Sequence, residues 1–206
     1  MTPAEIEALF TRSDGAYAFA RWGRPIVPIV FGVDDKTLET VKGAIEAVVA
    51  LAGHKMAETD PELGANLMFF FFREWDELLE LPDLGRMIPN LDTLVGKLKD
   101  ADANQYRAFR FDDQGAIQAG FVFLKMHSEL SRLPAETLAL GQVVQAMLIW
   151  SDKAFAEQSP LAVAGEATIL RPDIAGVIRA AYDPVMPVTA SDPAHALRLF
   201  ARVQAG

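Results

Sequence analysis

The sequence predicts an α+β fold: one domain in which a mixed sheet of about four strands is packed by helices. Three observations predict it. Asn66 to Phe72 (Asn-Leu-Met-Phe-Phe-Phe-Phe) is continuously apolar after its first residue, as a strand buried on both faces must be. Gln105 to Phe111 and Ala116 to Lys125 flank Asp112-Asp113-Gln114-Gly115, the signature of a β-hairpin with a Gly-ended turn. Between and after these strands run segments with apolar residues at helical spacing, giving the order β-α-β-(α)-β-β-α followed by further helices.

Each element has its own warrant. Residues 3–10 read as a short amphipathic helix with Ile6, Leu9 and Phe10 on one side, broken at Ser13-Asp14-Gly15. Ile26 to Phe31 is β-rich, but Pro25 and Pro28 lack backbone donors, which places it at a sheet edge. Asp34 and Asp35 offer an N-cap to a helix carrying Leu38, Val41, Ile45, Val48, Val49 and Ala52, and Gly53 is its stop. Asp60-Pro61-Glu62-Leu63-Gly64 is a turn. After the central strand, Glu74 to Leu81 reads as a short acidic helix, Pro82, Gly85 and Pro89 punctuate a connector, and Leu91, Leu94, Val95 and Leu98 mark another short helix.

Pro134 opens the least ordinary segment. From Leu138 to Trp150 only Gly141, Gln142 and Gln145 interrupt an apolar run, so the helix belongs in the core and its amides need partners there. Residues 159–168 read as loop. Pro172 starts a helix with Ile174, Val177, Ile178 and Tyr182 inward, Asp183-Pro184 to Pro187 is a rigid turn, and Asp192 caps a last helix with Pro193 at its first position.

Composition narrows the function. Half the chain is hydrophobic and it holds thirteen Phe and three Trp, enough for a sizeable core. The formal net charge is -9, and Glu58 to Asp83 contains eight acids against the single base Arg73. Such a surface repels phosphate backbones, so no nucleic-acid partner is expected. Cysteine is absent, which removes thiolate catalysis and cysteine-ligated metal. The N-terminus lacks a basic and an apolar stretch, and no apolar run approaches a membrane span, so a cytoplasmic protein without membrane association is expected.

No Walker A, GxGxxG or GxSxG motif occurs. His54, His127 and His195 lie too far apart in sequence for a metal-ligand pattern, and each has an ordinary structural place. In His127-Ser128-Glu129 a base adjoins a hydroxyl, but neighbours on a strand point to opposite faces. Asp152 follows the buried helix, Glu136 sits in its first turn and Asp173 opens the next helix. Helix ends account for Glu136 and Asp173.

The order of elements, with Trp22 and Pro25-Ile26, the Thr37 to Leu51 helix, Ala65 to Phe70, Glu74-Trp75, Gln145-Ala146, Ser151-Asp152 and Ala181-Tyr182-Asp183-Pro184, resembles an uncharacterised zincin-like, metalloprotease-like family of alphaproteobacteria. The resemblance covers residues 20–205 and leaves residues 1–20 as an N-terminal helical extension. Zincins carry His-Glu-x-x-His on a buried helix, two histidines binding zinc from one face while the glutamate activates water. The resemblance puts Gly141 and Gln142 at the first His and the Glu, and Gln145 at the second His. It therefore implies a zincin-like scaffold without a zinc site: no metal, no cofactor, and the binding of a protein partner or small ligand in place of proteolysis, with Gln142, Gln145, His127 and Asp152 as ligand-binding candidates. If the resemblance does not hold, the two glutamines are only core polar groups satisfied by sheet backbone; in either case they are expected to face the sheet side by side. Two alternatives stand beside this reading: a structural or regulatory homo-oligomer joined through Trp75 and the phenylalanine strand, and an enzyme pairing Asp152 or Glu136 with His127.

Overall fold

The structure is a computed structural model that describes residues 1–127, 129–165 and 167–205. In chain order it comprises α1 (Pro3–Ala8), β1 (Phe19–Ala20), β2 (Pro28–Phe31), α2 (Asp35–Leu51), β3 (Leu67–Phe72), α3 (Leu84–Met87), α4 (Leu91–Asp100), β4 (Gln105–Phe111) and β5 (Ile117–Lys125). There follow α5 (Ala135–Met147), β6 (Leu161–Ala164), β7 (Ala167–Leu170), α6 (Pro172–Ala181), β8 (Thr189–Ala190) and α7 (Ala194–Ala205).

Four strands form the mixed sheet that the sequence predicts, in the order β2-β3-β5-β4. β2, β3 and β5 run parallel, and β4 closes the far edge antiparallel to β5. The prolines put β2 at an edge, where a missing N–H leaves no gap in a ladder. Continuous apolarity puts β3 second, with both faces covered. Leu67 and Phe69 join the larger core with α2, α5 and α6, while Phe70 and Phe72 join Trp75, Leu78 and the residues of α3 and α4 on the opposite face. The sheet is thus the middle of three layers.

On the second face one aromatic row crosses every strand. Phe31 stacks on Phe70 at 4.9 Å, Phe70 on Phe123 at 5.1 Å, and Tyr106 on Phe123 at 6.4 Å, each between partners in register. Cross-strand aromatic pairs of this kind fix register as well as adding stability.

Local rules account for the helix ends. The Asp34 side chain accepts from the Thr37 N–H at 2.8 Å, and Gly53 ends α2 at φ +65°. Gly32, just beyond β2, has φ +82°, and a Cβ there would lie 2.0 Å from the Phe71 carbonyl oxygen, so only glycine fits that approach. The acidic helix expected over Glu74 to Leu81 is a 3-10 helix over Trp75–Glu80. None of the helices is long and apolar enough to cross a membrane among the described residues.

The segment read as loop over 159–168 is instead largely a hairpin, β6 against β7, turning at Gly165 with φ +63°. Its alternation is weakly hydrophobic because the hairpin is only half covered; Val163 is 79% exposed. It rests on α5: a Cβ at Gly141 would lie 3.5 Å from the Leu161 side chain, and Thr137 donates to Thr168 at 3.0 Å.

The N-terminal segment is integral to the larger core. Ile6, Leu9, Phe10, Tyr17 and Phe19 are buried in it, α1 packs on α7, and β1 pairs with β8. Its polar anchor is His195 of α7, only 4% exposed, whose Nδ1 lies 2.8 Å from the Tyr17 hydroxyl with the Phe19 ring 4.3 Å away. Burial, with Arg198 nearby, draws the His195 pKa down from 6.5 to about 4. The folded protein therefore holds His195 neutral at pH values where the unfolded chain protonates it. The stabilisation is complete above about pH 6.5 and is lost as pH falls towards 4, with an upper bound of roughly 3 kcal/mol at 1.36 kcal/mol per unit. Denaturation of the wild type and of His195→Gln at pH 7 and pH 4.5 checks this. The wild type should lose more stability between the two than the variant, and equal losses would refute the assignment.

Candidate functional site

Period-two alternation along β4 sends Gln105, Arg107 and Phe109 to the face that carries α5, and Tyr106 and Ala108 to the α3–α4 face. Because β4 is an edge strand, this row lies beside α5 at the border of the core. Gln142, 4% exposed, meets it there. Its Oε1 accepts from Arg107 Nη2 at 2.8 Å, and its Nε2 donates to Gln105 Oε1 at 2.8 Å. Arg107 Nη2 also donates to Gln105 Oε1 at 2.9 Å, closing a ring of three side chains. The partners of Gln142 are thus side chains of the edge strand, where sheet backbone was expected. Gln145 takes a different course, donating to Gly141 of its own helix at 3.2 Å, so the two glutamines do not share one partner surface.

Arg107 is the centre of this arrangement. Among the described residues both of its side-chain hydrogen bonds go to neutral amide oxygens, and its Nε is sealed from solvent with no partner there. No carboxylate pairs with it among the described residues. Desolvation lowers its pKa to about 10, which leaves it cationic at neutral pH.

Above this floor opens a cleft of about 750 Å³. One wall is β4, another is the chain after α5 from Leu148 to Ala156, and the loop Arg12–Asp14 closes the rim. The indole of Trp150 stands fixed in it: Nε1 donates to the Val144 carbonyl at 3.0 Å, one face stacks on Phe10 at 5.4 Å, and Phe155 meets it edge-on at 5.1 Å. Asp152 lies at the rim, where its carboxylate accepts from the Ser13 N–H at 2.9 Å. The Ser13 hydrogen bonds hold its pKa below the ordinary value, so it is an ionised fastener for the loop. Asp14, beside it, accepts from the Ala16 N–H.

Of the residues singled out from the sequence, Gln145 and Asp152 line this cleft, and Gln142 lies behind its lining, bonded to Arg107 and Gln105. His127 is exposed beyond the end of β5 and is not part of the lining, and Glu136 is exposed on the first turn of α5. Ser128 lies outside the described residues. His54 is held through Nε2 by the Arg24 carbonyl at 2.9 Å, with burial lowering its pKa. The residues that sequence reasoning missed are Arg107 and Gln105. Their signal was available as alternation: Gln105 and the charged Arg107 stand in phase with Phe109, on the face opposite Tyr106 and Ala108.

The helix does not suit zinc. Gly141 offers no ligand, Gln142 is engaged by a guanidinium at 2.8 Å, and a cation at that distance opposes a dication. No group of three or more His, Asp or Glu side chains placed to hold a metal ion occurs among the described residues. No family model, curated protein or solved structure matches the chain.

Proposed function

We propose that this protein is a non-catalytic binding protein: a zincin-like scaffold without a zinc site that holds a small ligand in the cleft between β4 and the chain after α5. The observation that carries the reading is the ring of Arg107, Gln105 and Gln142 at the floor. It presents a charged group fixed by its neighbours beneath a cleft of about 750 Å³, within the range of ligand pockets. The ionisable groups of the rim favour binding over proton transfer, since Asp152 and Asp14 are engaged by backbone N–H groups. The aromatic residues that suggested a homo-oligomer lie inside: Trp75 is buried, as are Phe69, Phe70 and Phe72 of β3.

A fragment screen read by NMR tests the proposal. Hits are expected to shift the Trp150 indole, the Gln105 amide and the Arg107 guanidinium together. Hits that gather elsewhere, or a stoichiometric zinc retained with peptidase activity, would overturn it.

A further inference from the structure

The cation at the floor of the cleft has no counter-ion among the described residues, and this sets what the cleft accepts. Arg107 Nη2 is tied to the two amide oxygens, which fixes the plane of the guanidinium before any ligand arrives. A guanidinium so held loses little freedom when it meets an anion. Its two partners are neutral, so its charge is uncompensated within the described structure.

The surrounding charge permits one negative group. The chain as a whole carries -9, yet the lining holds Arg12 and Arg107 against Asp14 and Asp152, and both carboxylates are turned to backbone N–H groups. The local field is therefore close to neutral. For a dianionic phosphate the lining offers, besides the half-buried Arg107, only Arg12, exposed on the rim loop. The walls add a second requirement. Phe109, Trp150 and Phe155 line the space, with the indole held by Val144 and Phe10. Flat, fixed aromatic walls favour a flat ring between them.

We propose that the cleft binds a small aromatic carboxylic acid, its carboxylate against the free side of the Arg107 guanidinium and its ring among Phe109, Trp150 and Phe155. This assignment rests on the cleft being the binding site. A charge-assisted hydrogen bond in a partly dry site distinguishes an acid from its neutral isostere, which the walls alone do not.

The test titrates the unmodified protein with phenylacetate, phenylacetamide and inorganic phosphate, following the cleft resonances by NMR. Phenylacetate should bind at least about tenfold more tightly than the amide, and phosphate should be weaker than both. Arg107→Met, checked for folding by its spectrum, should bind acid and amide alike. Equal binding of acid and amide to the wild type overturns the carboxylate assignment while leaving the cleft as a binding site. Phosphate binding as tight as phenylacetate overturns the aromatic part. Tighter binding of an acetylated peptide ending in phenylalanine overturns the small-acid assignment in favour of a protein C-terminus. If neither the three probes nor a fragment set moves the cleft resonances, the binding reading itself falls.

Discussion

Replacing Trp22 by alanine is expected to cost about 4–5 kcal/mol, at the upper end for a buried aromatic and a large part of a typical domain's stability. Trp22 is fully buried, with its ring against Gly120 of β5, where a Cβ would come within 3.3 Å of it. Its larger role is at the end of α5. The last carbonyls of a helix lack partners within the helix, and a buried end needs them supplied. Here aromatic side chains supply them. Trp150 Nε1 donates to the Val144 carbonyl at 3.0 Å, Trp22 Nε1 to Ala146 at 2.9 Å, and the Tyr182 hydroxyl to Met147 at 2.8 Å. The Trp22 N–H in turn donates to the Tyr182 oxygen at 3.4 Å, so two of the three are coupled. Alanine at 22 leaves both a cavity and a buried carbonyl without a donor. Trp22→Phe separates the two effects: it keeps most of the volume, loses the bond, and should cost about 1–3 kcal/mol. Urea denaturation of the two variants measures both. A loss below about 1.5 kcal/mol for the alanine variant would show that the site collapses freely and that this cap is dispensable.

The same end of α5 shows what a sequence discloses and what it withholds. β3 was legible because burial on both faces leaves continuous apolarity, and β2 because two prolines exclude it from the sheet interior. α2 was legible from its period and caps. α5 announced its burial, and its two glutamines announced a polar feature inside. The partners of Gln142 were not legible. They depend on β4 lying at the edge beside α5, which follows from a parallel β2-β3-β5 arrangement made of contacts distant in sequence. Arg107 read as one residue of a hairpin arm until the face it occupies was known. The weak alternation of β6 and β7 and the two-residue strands β1 and β8 carry too little pattern to register. The docking of α1 rests on a few side chains, Ile6 and Phe10 above all, in a helix of six residues that has little stability alone.

The substitution Gln142→Glu is expected to raise stability by about 1–3 kcal/mol at pH 7 while abolishing the binding of aromatic acids. The change is isosteric and sets a carboxylate oxygen where Oε1 now stands, 2.8 Å from Arg107 Nη2. The guanidinium, desolvated and bonded only to neutral amides, then gains a counter-ion without moving. Two bonds oppose the gain, because Gln105 Oε1 now accepts from both Gln142 Nε2 and Arg107 Nη2. Gln105 is exposed at the start of β4, so its side chain can turn its amide N–H to the new carboxylate, at the cost of its own bond to Arg107. A glutamate at 142 would build an internal ion pair, because Arg107 occupies the space in front of it. A glutamate held by Arg107 has a folded pKa below its ordinary value of about 4.3. The added stability is therefore present above that value and is lost as pH falls through the depressed folded pKa. The new carboxylate also satisfies the charge to which a ligand's carboxylate would bind. Denaturation of both proteins at pH 7 and pH 3, with phenylacetate titrations at pH 7, measures the two effects together. A variant less stable than the wild type at pH 7 would show that Arg107 is already compensated. A variant that retains wild-type affinity for the acid would show that the ligand charge is met elsewhere than at Arg107.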